Sequence, residues 1–545
     1  MSPLTRRQLL VAGALTVVAS GTPLLTGCDS RKPQSSVESN RRVALPDHRP
    51  YKTAAPDLPG TEAGVMPGYL RYPISSEPLR EPPGDGSAVS VVIVSYTPPP
   101  PPVQNNRFWQ ELNKKLGIDL RLTVVNGADY SSKLATIFAG GDLPDLLQIY
   151  GPVPDLPRVV DKFCQELTSH LSGSAAADFP YLSNIPQIHW RNTVLNGGIY
   201  GVPSPRSKMG GLLFVHQDVL DQMGLDSDLT DFNDFKALCA ELTDARHNRW
   251  ALTAPPITFV QQMLGIPNQW REDDGKLIHA IEVEEAAEAL EATRKLVEAG
   301  YVHPDSVGQT NVLFKQWFNA RSGLMHYDSY VAWGQFALAA ADVAGEVGRV
   351  SALIPPKYDA GSTPHTWQGP ANLSITVLKK ADDKRIRMLL EVLDYLAAPV
   401  GTPEKQFLTF GVEGVDHVVR NGELVLTKRG NTEIGGTIGT GMNLPYIVSA
   451  PAYLYEPGHP EVTKDEHAFQ QRFIPISIPN PVDGLYSDTE SRKGAQLNTI
   501  LTNVQNDILA GRRPVSDWAD AVRSWKSNGG DMIRREYENQ LQAGR

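Results

Sequence analysis

Aromatic side chains in predicted turns are the residues of this chain best suited to contact a ligand. A sugar ring presents apolar C–H faces that stack on aromatic planes, and its hydroxyl groups are hydrogen-bonded by planar polar side chains. The chain has 9 tryptophans and 18 tyrosines to supply such platforms. Packing in a core or a hinge is the competing explanation for each one. Eight of them lie in predicted turns: Trp190, Trp270, Tyr327, Tyr330, Trp333, Trp367, Tyr446 and Tyr453.

No motif for catalysis or nucleotide binding accompanies these aromatic residues. The chain lacks the G-x-S-x-G, H-E-x-x-H, Walker A and dinucleotide-binding patterns, and its 12 histidines show no metal-ligand spacing. We therefore expect no enzyme activity, no cofactor and no bound metal ion. A secreted carbohydrate-active enzyme is the alternative, because the distance in space between two carboxylates cannot be read from a sequence.

The composition is that of a soluble globular protein with two or three domains. Its 545 residues exceed one ordinary core, and hydrophobic residues make up 41% of the chain. The formal net charge of -10 does not provide the clustered positive charge that nucleic-acid binding requires. The same charge disfavours a strongly anionic ligand unless arginines near the site compensate for it, and we expect an uncharged, ring-shaped ligand.

Residues 1–28 have the features of an export signal. Twin arginines at residues 6–7 precede an apolar run that ends in LTGC at Cys28, which matches a bacterial lipobox. Val11 stands where a twin-arginine signal has lysine, so export by the Tat or the Sec route stays open. We expect lipidation of Cys28, for example by palmitate, on the extracytoplasmic face of the cell membrane. The alternative is a membrane-spanning anchor that ends in a chance cysteine.

Residues 29–87 are predicted to be a polar tether followed by an extended, proline-rich segment. The first part lacks any periodicity, and nine prolines then recur between residues 44 and 85. Large apolar residues, including Met66, Tyr69 and Tyr72, are interspersed among these prolines. A pure spacer has little use for such side chains, so we expect this segment to lie against the folded domain.

The next elements alternate between strand and helix. The apolar spacing predicts strands at residues 89–96, 119–125 and 146–150 and helices at residues 105–116 and 130–138. This order is typical of a parallel sheet with helices on its faces, and ligands bind beyond the carboxyl ends of such strands. We therefore expect Tyr96, Gln148 and Tyr150 to lie in a binding site.

A series of motifs along the chain resembles a known family. AGGDLPD at residues 139–145 is followed by YGVP at 200–203, RSGLMHYD at 321–328 and WQG at 367–369. In this order the motifs resemble family 1 of the extracellular solute-binding proteins of ABC importers. Within that family the chain is similar to the lipoprotein subgroup that contains alginate- and oligosaccharide-binding proteins. The resemblance covers about residues 89–541.

The resemblance implies an α/β fold with two lobes, similar to the type II periplasmic binding proteins. Each lobe is expected to contain a mixed, mostly parallel sheet flanked by helices, and the chain is expected to pass between the lobes more than once. The expected segments are the first lobe at residues 88–205, the second lobe at 206–368, a return to the first lobe at 369–399, and completion of the second lobe with C-terminal helices at 400–545.

The resemblance also implies capture of a sugar or oligosaccharide between the lobes and its delivery to an ABC permease in the membrane. A ligand that contacts both lobes stabilises the closed state, and we expect a monomer without covalent chemistry. A binding protein for peptides or another solute with the same fold is the alternative.

The expected binding residues combine the ends of the strands with the aromatic residues near the implied cleft. Arg206 follows the first crossing between lobes, where a guanidinium could clamp a carboxylate or a pair of hydroxyl groups. The full expected set is Tyr96, Gln148, Tyr150, Arg206, Trp270, Tyr327, Asp328, Tyr330, Trp333, Trp367, Gln368 and Glu413.

Alginate-binding relatives have a calcium loop, and this chain departs from that pattern. Only Asp244 and Asn248 among residues 243–250 offer oxygen ligands, while two arginines there would repel a cation. We therefore expect no calcium ion at this loop. Asp231, just upstream, is better explained as the N-cap of the following helix.

Two cysteines occupy apolar positions of predicted helices. Cys164 lies in a helix predicted at residues 158–171, and Cys239 lies in one predicted at residues 231–243. Both are expected to be core thiols. A disulfide between them is allowed outside the cytoplasm, but the spacing does not require one.

Overall fold

The apolar runs predicted as strands form two separate larger sheets. The computed structural model describes residues 37–96, 98–344, 349–435 and 441–542. These residues lie within one compact unit, Ser35–Arg545. The strands are β1 (Ala88–Ser95), β2 (Asp119–Asn126), β3 (Leu146–Ile149), β4 (Val194–Leu195), β5 (Gly198–Ile199), β6 (Val202–Pro205), β7 (Gly211–His216), β8 (Trp250–Leu252), β9 (Trp270–Asp273), β10 (Lys276–His279), β11 (Gly323–Ser329), β12 (Val350–Leu353), β13 (Thr366–Trp367), β14 (Asn372–Leu378), β15 (His417–Arg420), β16 (Glu423–Leu426) and β17 (Ser477–Ile478).

Twenty α-helices surround these strands in the described part of the chain. They are α1 (Val37–Arg41), α2 (Arg107–Leu116), α3 (Tyr130–Gly140), α4 (Leu156–Phe163), α5 (Thr168–Leu171), α6 (Pro180–Ser183), α7 (Gln187–Trp190), α8 (Gln217–Met223), α9 (Phe232–Leu242), α10 (Ile257–Met263), α11 (Glu285–Glu298), α12 (Asn311–Asn319), α13 (Trp333–Ala344), α14 (Asp383–Leu396), α15 (Pro403–Phe410), α16 (Lys428–Glu433), α17 (Pro460–Phe473), α18 (Asp488–Leu509), α19 (Trp518–Trp525) and α20 (Asp531–Gln542).

The first sheet has five strands in the order β2-β1-β3-β14-β6. β1 runs parallel to both β2 and β3, whereas β14 is antiparallel to β3 and to β6. The strand–helix–strand–helix–strand prediction is therefore confirmed. Helix α3 ends at Gly140, two residues beyond its predicted end, because Gly141 adopts the left-handed conformation that glycine enters without steric cost.

The second sheet has four strands in the order β12-β7-β11-β8. β7 is antiparallel to both of its neighbours, and β11 is parallel to β8. Each large sheet thus contains one strand that opposes the direction of the others, which is the mixed and mostly parallel arrangement expected. We call each sheet with its packed helices a lobe.

Three segments connect the lobes after the first sheet begins. The chain leaves the first sheet after β6 and enters the second with β7, and it returns between β13 and β14. A third segment follows Val448, which packs in the first core, and leads to Leu454, which packs in the second. The crossings are therefore residues 206–210, 368–371 and 449–453.

The C-terminal part of the chain divides differently from our expectation for residues 400–545. Side chains of α15 and of residues 442–448 pack with the first sheet, including Phe407, Leu444 and Ile447. Only the chain after the third crossing joins the second lobe, where Phe469 and Phe473 of α17 are buried. The apolar spacing of α15 does not specify which of two apolar cores it covers.

Two helical stretches are interrupted. The helix predicted at residues 158–171 ends at Phe163, because Cys164 adopts an extended conformation and pairs with Lys379 beyond β14. A π-type turn at Lys526–Gly530 separates the last two helices, α19 and α20. A Cβ atom at Gly530 would lie 2.2 Å from the Trp525 ring, so glycine is required where the turn meets that ring.

Both cysteines outside the export signal are core thiols, as predicted. Cys164 and Cys239 are free and buried, and they belong to different cores, one in each lobe. The disulfide that the compartment would allow is therefore not formed. Cys28 and the rest of residues 1–36 lie outside the described residues.

Candidate functional site

Two tyrosines mark the carboxyl ends of β1 and β3. Tyr96 and Tyr150 meet edge to face with ring centroids 6.2 Å apart, as expected for residues that follow adjacent parallel strands. Tyr96 is 59% exposed, and its ring lies against Gly127, where a Cβ atom would come within 2.4 Å. The first lobe thus presents an exposed aromatic ring at this edge.

A one-turn segment, Gly441–Tyr446, carries a third tyrosine to the same edge. Serine hydroxyl groups of the first sheet donate hydrogen bonds to backbone carbonyl groups of this segment. Ser204 Oγ donates to Pro445 O at 2.8 Å, and Ser374 Oγ donates to Tyr446 O at 2.9 Å. Asn443 has positive φ and donates from Nδ2 to Ser95 Oγ at 3.1 Å. These bonds fix the position of Tyr446.

The first two crossings lie side by side. Arg206 N donates to Ala371 O at 2.9 Å, and Gly369 N donates to Lys208 O at 3.1 Å. A Cβ atom at Gly210 would lie 2.1 Å from Trp367 O, so only glycine allows this approach. The crossings therefore form a paired backbone unit between the lobes.

The second lobe places two tyrosines beside this unit. Tyr330 N donates to Gly210 O at 3.2 Å, and the Tyr327 ring covers Gly211, where a Cβ atom would lie 2.5 Å away. Both side chains are partly buried. Tyr327 OH also accepts a long hydrogen bond from Gln262 Nε2 at 3.4 Å.

The positive charge of Arg206 acts on tyrosines of both lobes. The pKa of Tyr330 and that of Tyr446 are raised by burial, and the pKa of Tyr96 is raised by partial desolvation of its hydroxyl and by its hydrogen bond with Tyr150. The positive charge of Arg206 opposes the rise in each case. Tyr96 and Tyr446 belong to the first lobe, whereas Tyr330 belongs to the second. The guanidinium has no carboxylate partner among the described residues, although the chain has a net charge of -10.

Glu466 joins the candidate site and is absent from the set expected from the sequence. Burial and the neighbouring charge of Glu456 raise the pKa of Glu466 to about 8, and the charge of Glu466 acts on Tyr330. Its carboxyl group has no hydrogen bond or ion pair within the described ranges. A signal was present, because Glu466 shares the apolar face of α17 with Val462 and Phe473. Tyr446 belongs to the set of aromatic turn residues predicted from the sequence but not to the expected binding residues.

Three expected binding residues are buried by packing and do not belong to the candidate site. Gln148 is fully buried, and its side chain bonds Val94 N and Ser374 Oγ. Trp270 is 4% exposed among the C-terminal helices, and Trp333 is 2% exposed between Phe214 and Phe469. Their sequence positions in turns do not reveal this, because core and ligand platforms use the same side chains. Trp190, from the wider aromatic set, is also buried.

Asp328 is engaged in an ion pair rather than turned to a ligand. Its carboxylate lies 2.9 Å from Lys315 Nζ and 3.4 Å from His326 Nε2. Burial alone would raise the pKa of Asp328, but these two partners outweigh burial and lower it to about 2. The carboxylate therefore stabilises the second lobe.

Of the remaining expected residues, Trp367 and Gln368 lie beside the paired crossings and Glu413 lies in an exposed turn. Trp367 is partly buried and donates from Nε1 to Ile266 O at 2.9 Å, while Gln368 donates from Nε2 to Ser477 Oγ at 3.0 Å. Both flank the paired crossings on the side of the second lobe. Glu413 is exposed in the turn before β15, outside the group of residues around Arg206.

One of the two oxygen ligands in the loop expected to lack calcium, Asp244, is bonded to a protein partner, and so is Asp231 upstream of the loop. Asp244 Oδ2 bonds His247 Nδ1 at 2.6 Å, and Asp231 caps α9 by accepting from two backbone N–H groups. Across the ranges that the structure describes, no three His, Cys, Asp or Glu side chains are grouped to hold a metal ion. Within the same ranges, no helix combines the length and apolarity needed to cross a membrane.

Comparison with known proteins places this geometry in a family. The model of the bacterial extracellular solute-binding protein family matches residues 108–397. Lipoprotein LipO of Bacillus subtilis is 23% identical over 458 residues, which cover 79% of this chain and 88% of that protein. The polygalacturonan/rhamnogalacturonan-binding protein YtcQ of the same organism is 22% identical over 452 residues, covering 79% and 87%.

A solved structure supports the fold assignment. The alginate-binding protein AlgQ2 without calcium ion has a TM-score of 0.58 at 13% identity, covering 86% of this chain and all of that chain. The two-lobed solute-binding fold expected from the motifs is thereby confirmed. The matched family model spans more than half of the sequence, and its members bind solutes outside the cytoplasm. The chain belongs to the bacterial extracellular solute-binding protein family.

Proposed function

We propose that the chain binds an oligosaccharide between its two lobes and that uronic-acid units are the sugars it prefers. The observation that carries this proposal is the Arg206 guanidinium, which has no carboxylate partner among the described residues and acts on tyrosines of both lobes. A planar guanidinium forms two parallel hydrogen bonds with a carboxylate, and such charge-assisted bonds are stronger than neutral ones. The positive charge also offsets the repulsion from a net charge of -10.

The surrounding groups suit the rest of a sugar. The exposed ring of Tyr96 offers a face to C–H groups, and the tyrosine hydroxyls offer donors and acceptors to sugar hydroxyls. Glu466, with its pKa near 8, is mostly protonated at pH 7 and adds no full negative charge against an acidic ligand. The proposed binding residues are Tyr96, Tyr150, Arg206, Tyr327, Tyr330, Trp367, Gln368, Tyr446 and Glu466.

The names of two similar proteins support an acidic sugar. The relative YtcQ is named for binding polygalacturonan and rhamnogalacturonan, and the structural neighbour AlgQ2 is named for binding alginate. All three polymers contain uronic-acid units.

The proposed mechanism is capture and release without covalent chemistry. A ligand that contacts both lobes favours the closed form by its higher affinity for that form. An ABC permease would then accept the ligand from the closed, monomeric protein. The proposed lobes are residues 88–205 with 369–448, and residues 206–368 with 449–545.

A ligand panel tests the binding proposal. Thermal unfolding is recorded with oligogalacturonides, alginate oligosaccharides, neutral gluco-oligosaccharides and tripeptides, and each mixture is then chromatographed for products. We expect acidic oligosaccharides to raise the unfolding temperature most, because a ligand that binds only the folded state stabilises it. Stabilisation by peptides alone would remove the sugar assignment, and sugar products would show an enzyme.

The proposed location is the outer face of the cell membrane, with a lipid on Cys28. The family is extracellular, and one relative is named a lipoprotein. Replacing Cys28 by serine removes the thiol that carries the lipid, so we expect the variant to leave the membrane fraction. Retention of Cys28→Ser in that fraction would instead support a membrane-spanning anchor.

A further inference from the structure

The segment before β1 lies on both lobes in succession, and we call residues 47–84 the strap. It begins on the first lobe, where Asp47 N donates to Gly173 O at 3.0 Å and Arg49 N donates to Ser183 O at 2.8 Å. These bonds place the start of the strap against the folded domain. The later residues of the strap also contact the second lobe.

The middle of the strap is attached to the second lobe. Leu454 N donates to Pro67 O at 2.8 Å, and Tyr69 N donates to Leu454 O at 2.9 Å, so the strap pairs with the end of the third crossing. Met66 N donates to Gln470 Oε1 at 2.9 Å, and the Met66 side chain is buried in the second core. These contacts fix residues 66–69 in place.

The strap also contacts the first crossing. Lys208 Nζ donates to Ala63 O at 2.9 Å, and a Cβ atom at Gly64 would lie 2.6 Å from the Lys208 side chain. His467 Nε2 lies 3.0 Å from Pro59 O. The middle of the strap is therefore held both by the crossing and by helix α17.

The strap then returns to the first lobe. Tyr72 packs edge to face on Phe410 of α15 with ring centroids 4.9 Å apart. Further along, Arg80 N donates to Glu404 Oε1 at 2.8 Å, and Arg80 Nη1 lies 2.8 Å from Asp394 Oδ2. Glu404 and Asp394 are both buried in the first lobe.

The part of the strap that returns to the first lobe is short. The backbone of Tyr69 is bonded to Leu454 of the second core, whereas the side chains of Tyr69 and Tyr72 pack in one cluster with Phe410 of the first lobe. Three residue steps of a fully extended chain span at most about 11 Å. The distance between these two anchors therefore cannot grow far unless one of them detaches.

We propose that the strap restrains the separation of the two lobes and so sets the balance between their open and closed forms. It adds two connections to the three crossings, and one of these connections is short. Opening must break strap contacts or be limited by them, which favours the closed form. The inference rests on the proposed function, because it assumes that the lobes move about the crossings.

Distance measurements between the lobes test this proposal without any ligand. Cysteines replace Lys133 on α3 and Glu241 on α9, which are exposed and lie on different lobes. Cys28 is changed to serine, and the two native core thiols are buried and stay unlabelled. Spin labels on the new cysteines then report the distribution of distances.

Two variants release the middle of the strap in different ways. One carries Lys208→Ala, His467→Ala and Gln470→Ala and so removes three side chains that hold the strap. The other is Gly64→Ala, which drives a Cβ atom into the Lys208 side chain. Gly86→Ala is the matched control, because Gly86 also has positive φ but a Cβ atom there meets nothing within 4 Å.

We expect both release variants to broaden the distribution and lengthen its mean by more than about 2 Å, the scale of a domain rearrangement. The Gly86→Ala control should match the parent. Distributions that equal the parent in both release variants would overturn the proposal. If the triple variant unfolds, Gly64→Ala alone decides. A failed sugar screen would leave these ligand-free distances unaffected, so the two proposals fail separately.

Discussion

Arg206 and Arg385 show how the same residue type takes different roles in one chain. Arg385 donates to Ser87 Oγ, Ala88 O and Asp145 Oδ1 within the first lobe, so both terminal nitrogens of its guanidinium are engaged. Arg206 has only its backbone N–H engaged, and no described carboxylate pairs with its side chain. The two arginines carry the same charge, and they differ in the groups that bond their side chains.

Removing the Arg206 charge should weaken binding without weakening the fold. A hydrogen bond to a charged group contributes about 1.5–3 kcal/mol, so Arg206→Gln should lower affinity for an acidic oligosaccharide by about 10- to 100-fold. Calorimetry with an oligogalacturonide measures this change. The unfolding temperature of Arg206→Gln should match that of the parent protein.

Arg385→Gln is the matched control. It removes the ion pair with Asp145 at 2.8 Å, so it should lower the unfolding temperature and leave affinity near the parent value. Equal affinity in Arg206→Gln and the parent would contradict the role given to Arg206.

Asp328 makes a pH-dependent contribution to stability. Its folded pKa of about 2 lies below the ordinary value of 3.8, so the contribution is present above pH 3.8 and is lost as the pH falls toward 2. The shift corresponds to about 2 kcal/mol. Urea unfolding at pH 7 should therefore show Asp328→Asn less stable than the parent by about that amount, and the gap should narrow at pH 3.

The exposed carboxylate of Asp142 provides the control for this measurement. Its side chain is 96% exposed, so Asp142→Asn should change stability little at either pH. If the difference in stability between Asp328→Asn and the parent is the same at pH 7 and pH 3, the ion pair is not the cause of that difference.

At the scale of elements, the sequence predicted the first sheet well. The β1–α2–β2–α3–β3 order follows from local apolar spacing and from Gly141, and each of these signals is confined to a few residues. The interrupted helix at Cys164 was not predictable in the same way. Its extended backbone pairs with Lys379, a residue distant in the sequence, and that contact overrides local helical spacing.

The paired crossings depend on a glycine whose neighbour is also distant in the sequence. A Cβ atom at Gly210 would lie 2.1 Å from Trp367 O, which is backbone and has no flexible end to move. We expect Gly210→Ala to lower the free energy of unfolding by about 1–3 kcal/mol, as overpacking does, in urea titrations. It should also weaken ligand binding, because it forces the crossings apart.

Gly140→Ala controls for the loss of a glycine. Gly140 lies in helix α3, and a Cβ atom there meets nothing within 4 Å. This variant should be as stable as the parent or more stable by up to about 1 kcal/mol, because alanine favours helix. Parent-like stability of Gly210→Ala would show that the crossings can separate at little cost.

At the scale of the whole molecule, each lobe has its own core and its own buried thiol. Cys164 packs in the first lobe and Cys239 in the second, and both are fully buried. In a Cys28→Ser chain without reductant, we expect neither thiol to react with a thiol reagent in the native state. Both should react after denaturation.

Thiol counting also tests the separation of the cores. The three cysteines of the chain less the substituted Cys28 leave two, so two reactive thiols per denatured chain are expected. Fewer than two would show a disulfide between the lobes, which the structure does not contain. Partial denaturation that exposes one thiol before the other would give the order in which the lobes unfold.

The sequence by itself determined the class of the fold, the order of its first elements, the expected export and the absence of known catalytic motifs. These properties depend on local spacing and composition, which a chain displays without folding. The tertiary structure decided which aromatic residues are core, that no described carboxylate pairs with Arg206, and that α15 and residues 442–448 pack with the first lobe. Those outcomes depend on contacts between residues distant in the chain, and identical side chains serve as core or as binding surface according to what covers them.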